Sequence, residues 1–300
     1  MTMEYTKTPF LYFMHYLKMY KARVYGIMAG AVSFALFSRG MAYFFSRIID
    51  VISLDGTRLN TVFIYLGIML SMEILYIMAR QVMVYLCHKT FPTMAAQVKE
   101  DGAFYVLHHS PRYLSNQPIG KIASKIGQLA GNVESMGWMI VWDFVMPSIL
   151  ALCTFCMLMM VNVWLGIIFV FWSSLLLEYM FFTGKKLSKY NEEVAEKMST
   201  LSGYLIDMIS NWSLVKSFAR FKYEKERLMP VLTDARDADV NNGIRIETTR
   251  TIQYVIVTLF KISMLFLAIM LWIRKIITPG DIVLVMLLII GLVDWFNGFV

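Results

Sequence analysis

Between Phe144 and Leu177 the chain runs for 34 residues without one charged side chain. As a helix rising about 1.5 Å per residue it would be roughly 50 Å long. A single crossing of a hydrocarbon core about 30 Å thick cannot use that length, so the segment reads as two membrane spans joined by a turn at Val161-Asn162-Val163. Four more stretches satisfy the requirement of about 20 apolar residues. The expected spans are Val24 to Ile52, Asn60 to Cys87, Ser135 to Val161, Trp164 to Phe182, Thr251 to Ile273 and Ile282 to Val300, the last incomplete. With 58% hydrophobic and only 16% charged residues over 300 positions, an ordinary soluble enzyme, a disordered chain and a collagen-like repeat are excluded.

The charge of +7 does not gather on a soluble face, as nucleic-acid binding would need; the cations flank the apolar runs. With a cytoplasmic N-terminus, Arg58, Arg274 and Lys275 are the cations of the outer loops. Arg39, Arg47, Arg80 and Lys261 fall in the spans, and the other 21 of the 28 Lys and Arg lie inside. That is a strong positive-inside bias, expected of a bacterial inner-membrane protein. The N-terminus lacks the pattern of a cleaved secretory signal. Thr8 can cap a helix opening on Pro9, and Phe10, Leu11, Phe13, Met14 and Leu17 form an apolar stripe beside Lys18 and Lys21. Residues 1–20 therefore read as an amphipathic elbow helix on the inner leaflet. Cys87, Cys153 and Cys156 imply no disulfide framework, and His88, His108 and His109 have no partner at zinc spacing.

Two inner connections are long, about 47 residues from His88 to Glu134 and about 68 from Thr183 to Arg250, and loops of that size need structure of their own. Ile119, Ile122, Ile126, Leu129, Val133 and Met136 form one seam; Val194, Met198, Leu201, Leu205, Met208, Trp212 and Val215 form another. Both step by three and four, the spacing that packs helix on helix. Each seam continues into a span, so the helices must stand well beyond the bilayer as stalks. Their tips are marked by Ser110-Pro111 and Ser115-Asn116-Gln117-Pro118 in the first connection, and by Ser210, Asn211 and Ser213 in the second. Two short tips held far from the membrane suit the receipt of force from a soluble partner.

In this arrangement Leu107-His108-His109-Ser110-Pro111-Arg112-Tyr113 with Gly120-Lys121-Ile122-Ala123-Ser124-Lys125-Ile126, Val215-Lys216-Ser217-Phe218, and Thr278-Pro279-Gly280-Asp281 stand in order between six spans. The chain resembles the six-helix transmembrane domain of exporter-type ABC transporters over essentially its whole length. Lys125 and Leu129 depart from that family's usual Arg and Asp. The resemblance implies an all-α membrane protein with six transmembrane helices and long cytoplasmic extensions. It also implies two coupling helices, His109 to Pro118 and Ile209 to Lys216, that seat on nucleotide-binding domains. Their contact residues would be His109, Ser110, Arg112, Tyr113 and Leu114 in the first, and Asn211, Trp212, Val215 and Lys216 in the second.

No G-x-x-x-x-G-K-[ST] occurs in the 300 residues, and the chain stops inside an apolar run. The expectation is a chain that is not itself an enzyme and holds no cofactor. ATP and Mg would belong to a nucleotide-binding domain following in a longer polypeptide. The expected partners are a second transmembrane half, identical or related, the nucleotide-binding domains and membrane lipid, with no nucleic acid.

Seven charged residues within the spans are candidates for a substrate cavity: Arg39, Glu73, Arg80, Asp143, Glu178, Lys261 and Asp294. All but Arg80 fall 16 to 19 residues from the outer turns, roughly 24 to 29 Å deep at about 1.5 Å per residue. That level is either the inner interface, where lysine snorkels and carboxylates are hydrated, or a polar belt tolerant of cationic or zwitterionic amphiphiles. Equal depth on consecutive antiparallel helices predicts that Arg39 and Glu73 pair or share a polar cluster. Gly26-x-x-x-Gly30 offers a point of close helix approach. Tyr43, Phe44, Trp138, Trp142, Tyr254 and Phe260 suit either packing or an aromatic cavity. The resulting expectation is one half of an ATP-driven exporter of amphiphilic, lipid-like or drug-like molecules working by alternating access. The alternative is an ion- or proton-coupled carrier using Glu73, Asp143 or Glu178; a membrane-embedded enzyme would need a convergent nucleophile or metal cluster.

Overall fold

The computed structural model describes residues 8–54, 59–110 and 119–296. Those residues are helical nearly throughout, with no strand among them. The elements are α1 (Pro9–Met19), α2 (Lys21–Leu54), α3 (Leu59–Leu107), α4 (Ile119–Val161), α5 (Val163–Ser210), α6 (Trp212–Ser217), α7 (Phe221–Ile273) and α8 (Pro279–Phe296). By length and composition α2, α3, α4, α5 and α7 can each cross a bilayer, while the apolar part of α8, Pro279–Leu292, is shorter. The helices fall into two compact units. One takes the residues through Gly166 and from Met264 onward, the other Ile167–Ser263.

Local chemistry explains where the helices begin and end. Thr8 caps α1, its Oγ1 accepting from the Leu11 N–H at 3.3 Å, with Pro9 in the first turn. α4 stops at Val161 because Asn162 is extended, and its Oδ1 accepts from the Trp164 N–H at 3.0 Å to start α5. The expected turn thus lies at Asn162. Within α4, Ile140–Val145 widens into a π turn, where the Met146 N–H reaches back to the Val141 carbonyl. Pro147 follows at once. It has no N–H to offer the carbonyl four residues back, which leaves room for the looser bonding. α3 and α7 likewise carry Pro92 and Pro230 inside the helix.

In the first unit α2 packs along α3 through small residues, as the Gly26-x-x-x-Gly30 spacing suggested. A Cβ on Gly30 would lie 2.9 Å from Met83 Cβ, and one on Gly26 would lie 2.7 Å from Leu86 Cδ1. The elbow helix buries Phe13 and Tyr16. The Tyr16 hydroxyl donates to Asp101 Oδ2 of α3 at 2.6 Å. Burial, and then that bond, hold the hydroxyl well above the ordinary tyrosine range. The seam of α4 differs from expectation at one point: Leu129 is exposed and Ala130 is fully buried. The stripe there runs Ile122, Ile126, Ala130, Val133 and Gly137, closer to the helix's own 3.6-residue period than to a strict three-four alternation.

Candidate functional site

The second unit is built from α5 and α7, whose side chains meet rung by rung along the pair. Phe169 and Trp172 stack near Phe260, with ring centroids 6.0 and 6.2 Å apart. Tyr179 donates from its hydroxyl to the Thr249 carbonyl at 3.0 Å. The Arg245 guanidinium lies 3.9 Å over the Tyr190 ring, Asn242 Nδ2 donates to Asn191 Oδ1 at 2.8 Å, and Lys197 faces Asp234 at 3.8 Å. The rungs change from aromatic to polar along the pair, as expected where a helix leaves lipid for water.

At the far end the chain turns. α5 stops at Ser210, and Asn211 Nδ2 donates back to the Asp207 carbonyl and carboxylate at 3.0 and 3.1 Å. α6 then runs six residues and ends at Ala219, whose φ of 51° is in the left-handed region, with the Arg220 N–H returning to the Val215 carbonyl at 3.0 Å. This is a helix end where glycine is customary. Between α6 and its flanks lies a groove of about 430 Å³ lined by Met208, Asn211, Val215, Phe218, Tyr223 and Arg227 among others. Trp212, Leu214 and Phe218 are 62%, 56% and 71% exposed, with Lys216 Nζ 5.8 Å over the Trp212 ring. The tip combines exposed aromatic and aliphatic groups with cations. Asn211, Trp212, Val215 and Lys216 are thereby brought together on one turn and one short helix.

The first tip is only partly described. His109 donates from its ring Nδ1 to the Tyr105 carbonyl at 2.9 Å, and Ser110 ends the described part of that segment; Arg112, Tyr113 and Leu114 lie outside the described residues.

The charged candidates in the spans do not share one environment. Arg39 is 4% exposed, Glu73 and Asp143 are half-buried, Arg80 is exposed, and in the second unit Glu178 is exposed and Lys261 half-buried. The side chain of Asp294 lies outside the described residues. Asp143 sits in the π turn of α4. Arg39 and Glu73 form no ion pair, and Arg39 Nε and Nη2 have no hydrogen-bond partner among the described residues. Depth was the wrong guide. Gly40 and Met72 are the residues that touch, and each charge stands one residue away, about 100° round its helix.

A cluster not singled out from the sequence joins α2 to the start of α8. Arg47 donates to Asp50 Oδ2 at 2.8 Å and to Asp281 Oδ1 at 3.1 Å, and the Gly280 N–H donates to Asp50 Oδ1 at 2.7 Å. Thr278 and Asp281 form a reciprocal cap, with N–H to carboxylate at 3.0 Å and N–H to hydroxyl at 3.2 Å. The signal was present in the Arg47/Asp50 spacing and in Thr278-Pro279-Gly280-Asp281.

The described helices include several far longer than a bilayer is thick, and α6 presents an exposed amphipathic tip. Residues 25–294 match the family described as the ABC transporter transmembrane region. The chain belongs to that family and is a multi-pass membrane protein, the membrane half of an ABC transporter. No curated protein matches the sequence. Domains of this family pair with nucleotide-binding domains and with a second transmembrane domain.

Proposed function

We propose that the chain is the transmembrane half of an exporter. It would move an amphiphilic, lipid-like or drug-like molecule outward across a bacterial inner membrane, with its N-terminus in the cytoplasm. The observation that supports this reading is the length of α5 and α7, 48 and 53 residues, or about 72 and 80 Å at about 1.5 Å per residue. About half of each exceeds the hydrocarbon thickness, and a secondary carrier has no use for the excess. In this reading nucleotide-binding domains seat on α6, with Trp212 and Leu214 as apolar anchors and Lys216 at the rim. ATP binding draws the domains together, α6 carries the movement, and the α5–α7 rods switch the cavity between its two openings. The second half is an identical or related chain. The first coupling element is His109 to Pro118, with Arg112, Tyr113 and Leu114 as contacts.

The test is transport of a fluorescent amphiphile in inverted vesicles bearing the intact transporter. Uptake is expected to stop on ATP depletion, to survive collapse of the ion gradients, and to fall at least tenfold in Trp212→Ala. Uptake that survives ATP depletion and fails with the gradients would assign the chain to the carriers and make Glu73, Asp143 and Glu178 the residues to follow.

A further inference from the structure

An arginine within a membrane bundle is costly unless something answers its charge. Among the seven charged candidates, Arg39 is the one whose described side chain is withdrawn from the surface, at 4% exposure. Its Nε and Nη2 find no acceptor among the described residues. α2, α4 and α8 pack mutually in this unit. Gly291 of α8 faces the guanidinium, where a Cβ would stand 2.9 Å from Nη1. On α4, Thr154 is fully buried, and its hydroxyl has no hydrogen-bond partner among the described residues. Threonines in helices ordinarily turn that hydroxyl to a carbonyl one turn back, as Thr90 and Thr183 do here.

We propose that Arg39 is the docking point for an anionic oxygen group, a phosphate, sulfonate or carboxylate, at the head of the transported amphiphile. The guanidinium is a planar fork that stays charged and fits such a group with two parallel bonds. Glycine at 291 keeps a side chain off Nη1, which a Cβ would crowd at 2.9 Å. The inference rests on the export reading and sharpens it: the interior selects an anionic head, in place of the cationic or zwitterionic one that a belt of four carboxylates suggested.

The experiment measures binding of dodecyl phosphate, dodecyltrimethylammonium and inorganic phosphate to the intact transporter in phosphatidylcholine nanodiscs, together with ATP-driven transport of dodecyl phosphate in proteoliposomes. Arg39→Met is expected to weaken dodecyl phosphate at least tenfold and Gly291→Ala severalfold, with dodecyltrimethylammonium unchanged. The melting temperature of Arg39→Met is expected to hold or rise, because an apolar side chain of similar size replaces an unanswered charge. Inorganic phosphate binding as tightly as dodecyl phosphate would overturn the proposal in favour of a free anion. A fall in melting temperature shared by Arg39→Met and Asp294→Asn, and not additive between them, would overturn it in favour of an internal pair. If Arg39-dependent binding is found without ATP-driven transport, the export reading fails and the subsite stands. If transport persists in Arg39→Met with an unchanged KM, the subsite fails and the export reading stands.

Discussion

The two units hold their helices together by opposite means. In the first, α2 meets α3 and α8 at glycines, backbone close to side chain or backbone, so that a single added methyl at Gly30 or Gly280 collides. In the second, α5 and α7 are linked by the ends of long side chains: a stacked guanidinium, an amide pair and a 3.8 Å ion pair. Close contacts fix helix spacing and resist sliding, because packed interiors have little free volume. Long polar rungs re-form after small displacements. The first design suits a bundle that must keep its register around a buried charge, and the second suits rods that pass on a push while adjusting to it.

Substitutions can break this contrast at several levels. The largest effect is expected at Gly280, where a side chain would overlap the Ser46 carbonyl and the Asp50 carboxylate. Gly280→Val is expected to cost about 3 kcal/mol, at the upper end for overpacking, and to show as a large fall in melting temperature in detergent. Gly30→Val meets Met83 Cβ and Cα and is expected to cost about 2 kcal/mol, read in the same assay. Arg47→Met removes a partner from Asp50 and Asp281, whose side chains are only 9% and 12% exposed. Because Asp50 keeps the Gly280 N–H and Asp281 keeps its cap, the expected loss is about 1 to 2 kcal/mol. The smallest effects fall on the rungs. Tyr190→Leu forfeits the stacked Arg245, about 0.5 to 1 kcal/mol, and Lys197→Ala an exposed ion pair of a few tenths at about 0.3 kcal/mol. A rung variant as damaging as Gly30→Val would erase the distinction between the units.

Features that depend on one helix were legible in the sequence. The cap at Thr8, the break at Asn162 and the turn at Asn211 all follow from residues that satisfy or interrupt their own backbone. Features that depend on which way a helix faces were not. Counting residues from the outer turns placed Arg39 and Glu73 at one depth but said nothing of their azimuth, and Gly40 against Met72 is what sets it. The one-residue slip from Leu129 to Ala130 arises from the same missing coordinate. The π turn at Ile140–Val145 was signalled by Pro147, yet a proline can as well kink or end a helix. The Arg47–Asp50–Asp281 cluster needed α2 and α8 side by side, which no local pattern announces.

The central claim is that α5 leaves the lipid and continues through water as a rod to its tip. Single cysteines at Leu177, Ser188, Ser199 and Ile209, all exposed on the chain's own surface, can be probed in a cysteine-free background with a membrane-impermeant maleimide. Leu177 is expected to stay unlabelled, while Ser188, Ser199 and Ile209 label in inverted vesicles and not in right-side-out ones. Protection at Ser199 and Ile209 equal to that at Leu177, or labelling from the opposite face, would contradict the account.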